Sequence, residues 1–168
     1  MEGCLEALAE QAQNRFSGFE VIVVDDGSSI PVLPDASRYS GRLNLRVVRQ
    51  ENAGPAAARN HGAEAALGRF LAFTDDDCVP GPGWLDELAA ALFDNPDALA
   101  GTETWNGVQN NIFSAASQMI IDIVYAHNNR VVNDGQFLAS NNFACAKHHF
   151  AAMGGFDLEF PRLSLIHI

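Results

Sequence analysis

Basic residues are scarce in this chain. Only 10 Lys and Arg stand against 21 Asp and Glu, giving a formal net charge of −11 and a pI near 4.6. Such a surface repels polyanions, which excludes nucleic-acid binding through a basic patch. If the protein handles phosphates, metal ions and helix N-termini must supply the positive field. Cysteine is scarce as well. Cys4, Cys78 and Cys145 are odd in number, far apart and without metal-ligand spacing, which excludes a disulfide framework and suits a reducing compartment. The sequence shows no signal peptide, no apolar run long enough to span a bilayer, and no repeat, low-complexity tract or linker. Its 168 residues, 48% of them hydrophobic, make one domain or part of one with a substantial core.

The remaining pattern is an alternation of short strands and helices. Residues 3–14 form a helix with Leu5 and Leu8 among alanines. Glu20–Val24, EVIVV, is a continuous β-branched run that stops at Asp25-Asp26-Gly27-Ser28-Ser29 and reads as a buried parallel strand. Ile30–Asn44 is loop with one short helix, and Leu45–Arg49 is a second strand. Asn52–Gly68 has the grammar of a helix, with Asn52 as cap, Pro55 near the first turn and Gly68 as stop. Phe70–Thr74 is a strand that runs into Asp75, Asp76 and Asp77. Pro82–Asn95 is a helix with Leu85, Leu88, Leu92 and Phe93 on one face, and Ala98–Thr104 is a strand. Asn110–His127 is predicted to be an amphipathic helix lying on the core through Ile112, Phe113, Met119, Ile120, Ile123 and Val124. Residues 128–135 are a polar loop and Phe137–Lys147 is strand-like. His148–Met153 is a short helix ending at Gly154-Gly155. Strands alternating with helices imply βαβ units and an α/β architecture with a mostly parallel sheet covered on both faces.

In such sheets ligands sit outside the carboxyl ends of the strands, where both acidic clusters lie. Neighbouring carboxylates repel one another. Mg²⁺ or Mn²⁺, held by one or two carboxylates plus substrate phosphates, would neutralise them. A solvated acidic turn is the alternative for the triad taken alone. Cys78 and Cys145 read as small buried residues rather than nucleophiles. His61 reads as an exposed histidine, and His148-His149 lack a third ligand nearby in sequence.

Four blocks in order, VIVVDDGSS at 21–29, ENAGPAAARNHG at 51–62, FLAFTDDDCVPGPGWL at 70–85 and SNNFACAKHHFAAMGGFD at 140–157, together resemble the family 2 glycosyltransferases of the GT-A fold. The resemblance implies a metal-assisted enzyme that moves a sugar from a nucleoside-diphosphate-sugar donor to an acceptor hydroxyl, inverting the anomeric carbon. A glycan or lipid-linked acceptor of cell-envelope polysaccharide type follows, with a cytoplasmic location at the inner face of the membrane for the full-length protein. It also implies residue roles. Asp75, Asp76 and Asp77 would form the Asp-x-Asp motif, with Asp77 the direct metal ligand and Asp75 nearer the ribose. Asp25 and Asp26 would sit beside the nucleobase. Arg59 would pair with a carboxylate or face the nucleotide. Asn142 and the turn Gly154-Gly155-Phe156-Asp157 would border sugar and acceptor, although the two glycines could equally be a helix stop.

Two departures from the family pattern stand out. The family begins with an apolar strand, whereas this chain starts at the following helix, which predicts an unfilled sheet position beside EVIVV. The family also continues to a Glu-Asp motif carrying the general base. Here Phe160-Pro161-Arg162 is followed by Leu163–Ile168, LSLIHI, which a common sequencing adapter encodes in one frame. The expectation is therefore a partial domain over 1–162 with a non-native tail at 163–168, the alternative being a short natural tail. This fragment would bind nucleotide weakly and lack its catalytic base. A non-catalytic nucleotide-binding module and a sugar nucleotidyltransferase remain rivals. A phosphoacceptor receiver domain fits poorly, because Pro31–Asn44 cannot supply its intervening helix.

Overall fold

The computed structural model describes residues 1–11, 14–105, 112–130 and 137–159. Its elements are α1 (Glu2–Ala9), β1 (Glu20–Asp26), a 3₁₀ turn (Ala36–Tyr39), β2 (Asn44–Gln50), α2 (Pro55–Ala65), β3 (Phe70–Thr74), α3 (Trp84–Asp94), β4 (Ala100–Gly101), α4 (Ile112–Asn128), β5 (Asn142–Ala146) and α5 (Lys147–Ala152). The proposed tail at 163–168 lies outside the described residues, as do residues 12–13, 110–111 and 131–135 of the elements predicted around them.

The β-branched run forms β1, which pairs in parallel with β2, so that Asp25 stands opposite Arg49 and Asp26 opposite Gln50. β3, β5 and β4 form a second sheet in that order. β5 is antiparallel to both neighbours, which corrects the expectation of a mostly parallel sheet there. The chain between β4 and β5 returns to the end of the sheet it left, since Gly101 pairs with Phe143 near the start of β5. A strand re-entering at the same end runs backwards and needs no crossover helix. β4 itself is only two residues long, far shorter than the predicted 98–104.

Side chains alternate across β5 and divide the core in two. Phe143 and Cys145 face α2 and α5, packing with Ala56, Ala63, Leu71, Phe73, Phe150 and Phe156. Phe73 and Phe143 stack at 4.7 Å between centroids, with Phe150 and Phe156 against the same ring. Ala144 faces the other way, onto Cys4, Leu8, Trp84, Leu88 and Leu92 of α1 and α3. The predicted face of α3 is thus correct at Leu88 and Leu92, whereas Phe93 lies at the margin, edge-on to Phe70.

The amide N–H groups of Leu67 and Gly68 donate to the Glu20 carboxylate, which seats the start of β1 beside the start of β3. A cleft of about 950 Å³ separates the two strands along their length. Each wall consists of consecutive rather than alternate residues, Glu20 to Asp26 on one side and Arg69 to Asp76 on the other, so strand edges bound it. Among the described residues neither β1 nor β3 has a partner on that edge.

The helix α4 departs from expectation. Ile112, Met119, Ile120 and Ile123 are exposed instead of lying on the core. The helix is tied down by other groups: the Gln118 amide donates to Thr104 O, and Tyr125 packs edge-on against Phe137. Helical periodicity identifies an apolar face but not what covers it. No helix among the described residues is long and apolar enough to cross a membrane.

Candidate functional site

The carboxyl end of β1 is built around two buried or half-buried carboxylates. Asp25, 2% exposed, accepts from Ser28 N at 2.9 Å, Val32 N at 3.1 Å and Arg49 Nη1 at 2.9 Å. Hydrogen bonds from the Ser28 amide and hydroxyl and the Val32 amide hold its carboxyl below the usual range against the opposing cost of burial, and Arg49 adds to them. Asp26 accepts from Gln50 Nε2 at 2.7 Å, Ala53 N at 2.8 Å, Gly54 N at 2.9 Å and Asn52 Nδ2 at 3.2 Å. Burial pushes its pKa up, and the Ala53 amide, Gln50 side chain and Gly54 amide outweigh that, so the net direction is down. A carboxylate offers roughly four accepting sites, and those of Asp26 are filled. Asn52 is not the cap of α2: the N-cap is Gly54, at φ 90°, with no side-chain capping bond, and Asp26 holds the two amides that lead into the helix, Ala53 N and Gly54 N. Gly27, at φ 74°, permits the close approach, because a Cβ there would lie 2.6 Å from Asn52 N.

The carboxyl end of β3 is different. Asp75 pairs with the Arg59 guanidinium of α2, which also lies 5.5 Å above the Phe156 ring. Asp76 is largely exposed and sits 3.8 Å from the Met1 amine. Asp77 is exposed as well, with the Cys78 thiol 3.9 Å from its carboxylate. The Cys78 N–H closes the turn onto Asp75 O at 3.1 Å. Burial pushes the Cys78 thiol up and the Cys4 and Cys145 thiols to about 11, which favours the thiol over the thiolate in all three.

The remaining candidates divide between interior and surface. Asn142 is buried, and its amide is engaged within the protein. Trp84 Nε1 and Thr102 Oγ1 donate to its oxygen at 2.8 and 2.9 Å, and its nitrogen donates to Thr102 O at 2.8 Å. Its neighbour Asn141 reaches toward the triad instead, donating to Cys78 Sγ at 3.4 Å. Gly154 and Gly155, at φ 85° and 77°, do end α5, with Gly155 N on Phe150 O. They also dock the turn on α2: Asn60 Nδ2 donates to Phe156 O at 2.9 Å and Phe156 N donates to Asn60 Oδ1 at 2.8 Å. A Cβ on Gly155 would meet Asn60 Oδ1 at 2.6 Å. Asp157 is exposed and accepts from Glu159 N. His61 is half-buried and bonded to Gln50 Oε1 at 2.9 Å, not simply exposed. Asn60, Gln50 and Arg49 were missed by sequence reasoning. The register of two parallel strands was the only signal for the last two.

The donor set at the triad is carboxylate oxygen alone, which suits a hard divalent cation. The three side chains leave successive residues of a turn and do not converge. Among the described residues, the one group of three or more such side chains with mutually close ligand atoms lies elsewhere. The arrangement therefore fits an ion shared between one or two carboxylates and phosphate oxygens, not one caged by protein.

Comparison with known proteins agrees with this architecture. The chain is 40% identical over 81 residues to hyaluronan synthase of Pasteurella multocida, covering 47% of this chain and 8% of that protein. It is 42% identical over 83 residues to pre-mycofactocin glycosyltransferase of Mycobacterium tuberculosis, covering 49% and 17%. In three dimensions it is similar to a mannosyltransferase from Pyrobaculum calidifontis solved with GDP-Man and Mn²⁺ (TM-score 0.71, 20% identity, 94% of this chain and 44% of that one). A second similar structure is S. aureus TarS with UDP (TM-score 0.64, 21% identity, 96% and 47%). The chain thus spans less than half the length of each of these relatives and structures. The chain shares the GT-A fold with these solved structures, and the model of glycosyl transferase family 2 matches residues 1–154: the chain belongs to that family.

Proposed function

We propose that this chain is the donor-binding part of a family 2 glycosyltransferase, and that it holds a nucleoside-diphosphate sugar at the carboxyl ends of β1 and β3. The observation that carries the reading is the open triad. Asp76 and Asp77 are exposed on a turn whose base is fixed by the Arg59–Asp75 pair. A Mg²⁺ or Mn²⁺ ion on Asp77 and Asp75, when bound, would offset charge developing on the leaving diphosphate. Asp75 and Asp76 would face the ribose and diphosphate. Arg59 would orient Asp75. Asp25 and Asp26, with their accepting sites taken up by the protein, would act on the base indirectly, by holding residues 27–32 and the start of α2 as the wall of its pocket. Gly154, Gly155 and Asp157 would border the acceptor side. Asn142 would serve that side by locking Trp84 and Thr102 behind it.

We further propose that residues 1–162 are a partial domain without the general base for the acceptor hydroxyl, so that donor binds and little or no sugar is transferred. In the longer protein the glycan or lipid-linked acceptor would be met at the cytoplasmic face of the membrane. Calorimetric titration with UDP, GDP and their sugars tests the reading. Heat that appears with Mn²⁺ and vanishes with chelator supports it, and heat unchanged by chelator or by Asp77→Asn overturns it. Turnover equal to that of a longer chain would overturn the claim of a missing base.

A further inference from the structure

The strands place a second set of metal-ligating side chains far from the acidic turn. β5 runs antiparallel to both β3 and β4, with Phe70 opposite Ala146 and Ala100 opposite Ala144. Continuing the β4–β5 register backwards carries Asp97, just before β4, to the residues just after β5. The position directly opposite is Lys147, and His148 and His149 follow it in the first turn of α5. His149 Nε2 stands 3.3 Å from Asp97 Oδ1. One ligand atom from each of the three residues lies within 4.8 Å of the others. Successive helical residues normally project about 100° apart, yet the two imidazole centroids are 4.1 Å from each other. In the β3–β5 ladder Thr74 pairs with Asn142 and Phe70 with Ala146, so this cluster and the Asp75–Asp77 turn sit at opposite ends of the sheet.

We propose that Asp97, His148 and His149 form a binding site for a Zn²⁺-class transition-metal ion. Two imidazoles and one carboxylate are a borderline-soft donor set that suits zinc, cobalt, nickel or copper and not magnesium. A tetrahedral ion with bonds of about 2.0–2.2 Å spaces its ligand atoms about 3.3 Å apart, the separation already present between His149 and Asp97. Two of the three residues are exposed and one is half-buried, so the ion would keep water on its open side. The site ties the loop after α3 to α5. It acts as a clip at the amino end of β3 and takes no part in donor binding.

The test is a Zn²⁺ titration of the untagged full chain in excess Mg²⁺, which occupies the carboxylate turn and leaves imidazole sites free. One equivalent of Zn²⁺ is expected to bind, shifting the histidine ring resonances of His148 and His149 and raising the thermal midpoint by a few degrees. Affinity is expected to fall at least about tenfold in H148A and in H149A, and severalfold in D97N. Circular dichroism of the metal-free variants checks that each is folded. H148N and H149N, which keep polarity and approximate shape, provide a second pair should an alanine variant fail to fold. Equal Zn²⁺ affinity in the native protein and the H148N/H149N variant, or histidine resonances unmoved by saturating Zn²⁺, would overturn the proposal.

Discussion

The two acidic strand ends are near-copies in sequence, VVDD closing β1 and FTDDD closing β3, but they differ in what faces them. At β1 the carboxylates point into the protein and are held by seven hydrogen bonds from Ser28, Val32, Arg49, Gln50, Asn52, Ala53 and Gly54. At β3 one carboxylate is held by Arg59 and the next two look into solvent. A carboxylate meeting several amide donors is a structural element with a lowered pKa. One left to solvent is available to a cation. The same dipeptide therefore builds a pocket wall at one strand end and offers a ligand at the other.

The largest expected effect lies on the β1 side. Replacing Asp26 with Ala removes the acceptor for four donors and is expected to lower stability by about 2–4 kcal/mol, read as a fall in the urea midpoint. On the β3 side, Asp77→Asn is expected to leave stability within about 0.5 kcal/mol. It should weaken Mn²⁺-dependent nucleotide binding by about 10–100-fold, measured by calorimetry. If the two variants exchanged these phenotypes, the contrast between the strand ends would be broken.

Acid should sharpen the same contrast. The carboxyls of Asp25 and Asp26 lie below their ordinary value of 3.8 in the folded protein. Glu20 lies below 4.5, because the Leu67 amide, Arg46 and the Gly68 amide outweigh the effect of its burial. Groups with depressed folded values contribute stability that is complete above the unfolded pKa and disappears as pH falls through the folded one. Stability should therefore be flat above about pH 5 and drop below about pH 4. Asp26→Asn should make that acid limb shallower, in urea melts taken between those conditions and neutral pH.

The smallest effect is expected at the link between the regions. Arg59→Lys keeps the charge but loses the planar fork over Phe156 and beside Asp75. It should cost about 1 kcal/mol of stability and about threefold to tenfold in nucleotide affinity, measured in the same titrations.

Much of this molecule was legible in the chain itself. The continuous β-branched run EVIVV, the Ala-rich stretch after Pro55, and the Leu88 and Leu92 spacing of α3 are local patterns. Local sterics and periodicity decide them, so β1, α2 and α3 appear where expected. The acid clusters at strand ends, and the order of four blocks, led to the fold and the family. Other features depend on contacts between residues distant in sequence. No local pattern reveals that β5 runs backwards, that Asp25 meets Arg49 across a parallel register, or that Asn142 turns inward to Trp84. The exposed apolar face of α4 is of the same kind. Its periodicity was read correctly and its partner was not, because a helix face records that it can be buried and not by what. The sequence by itself determined the elements, the family and the position of the open triad, since these rest on residue type and spacing. Only the tertiary structure decided which acids were left open and which histidines gained an acidic neighbour, because hydrogen-bond saturation and convergence depend on residues that the fold brings together.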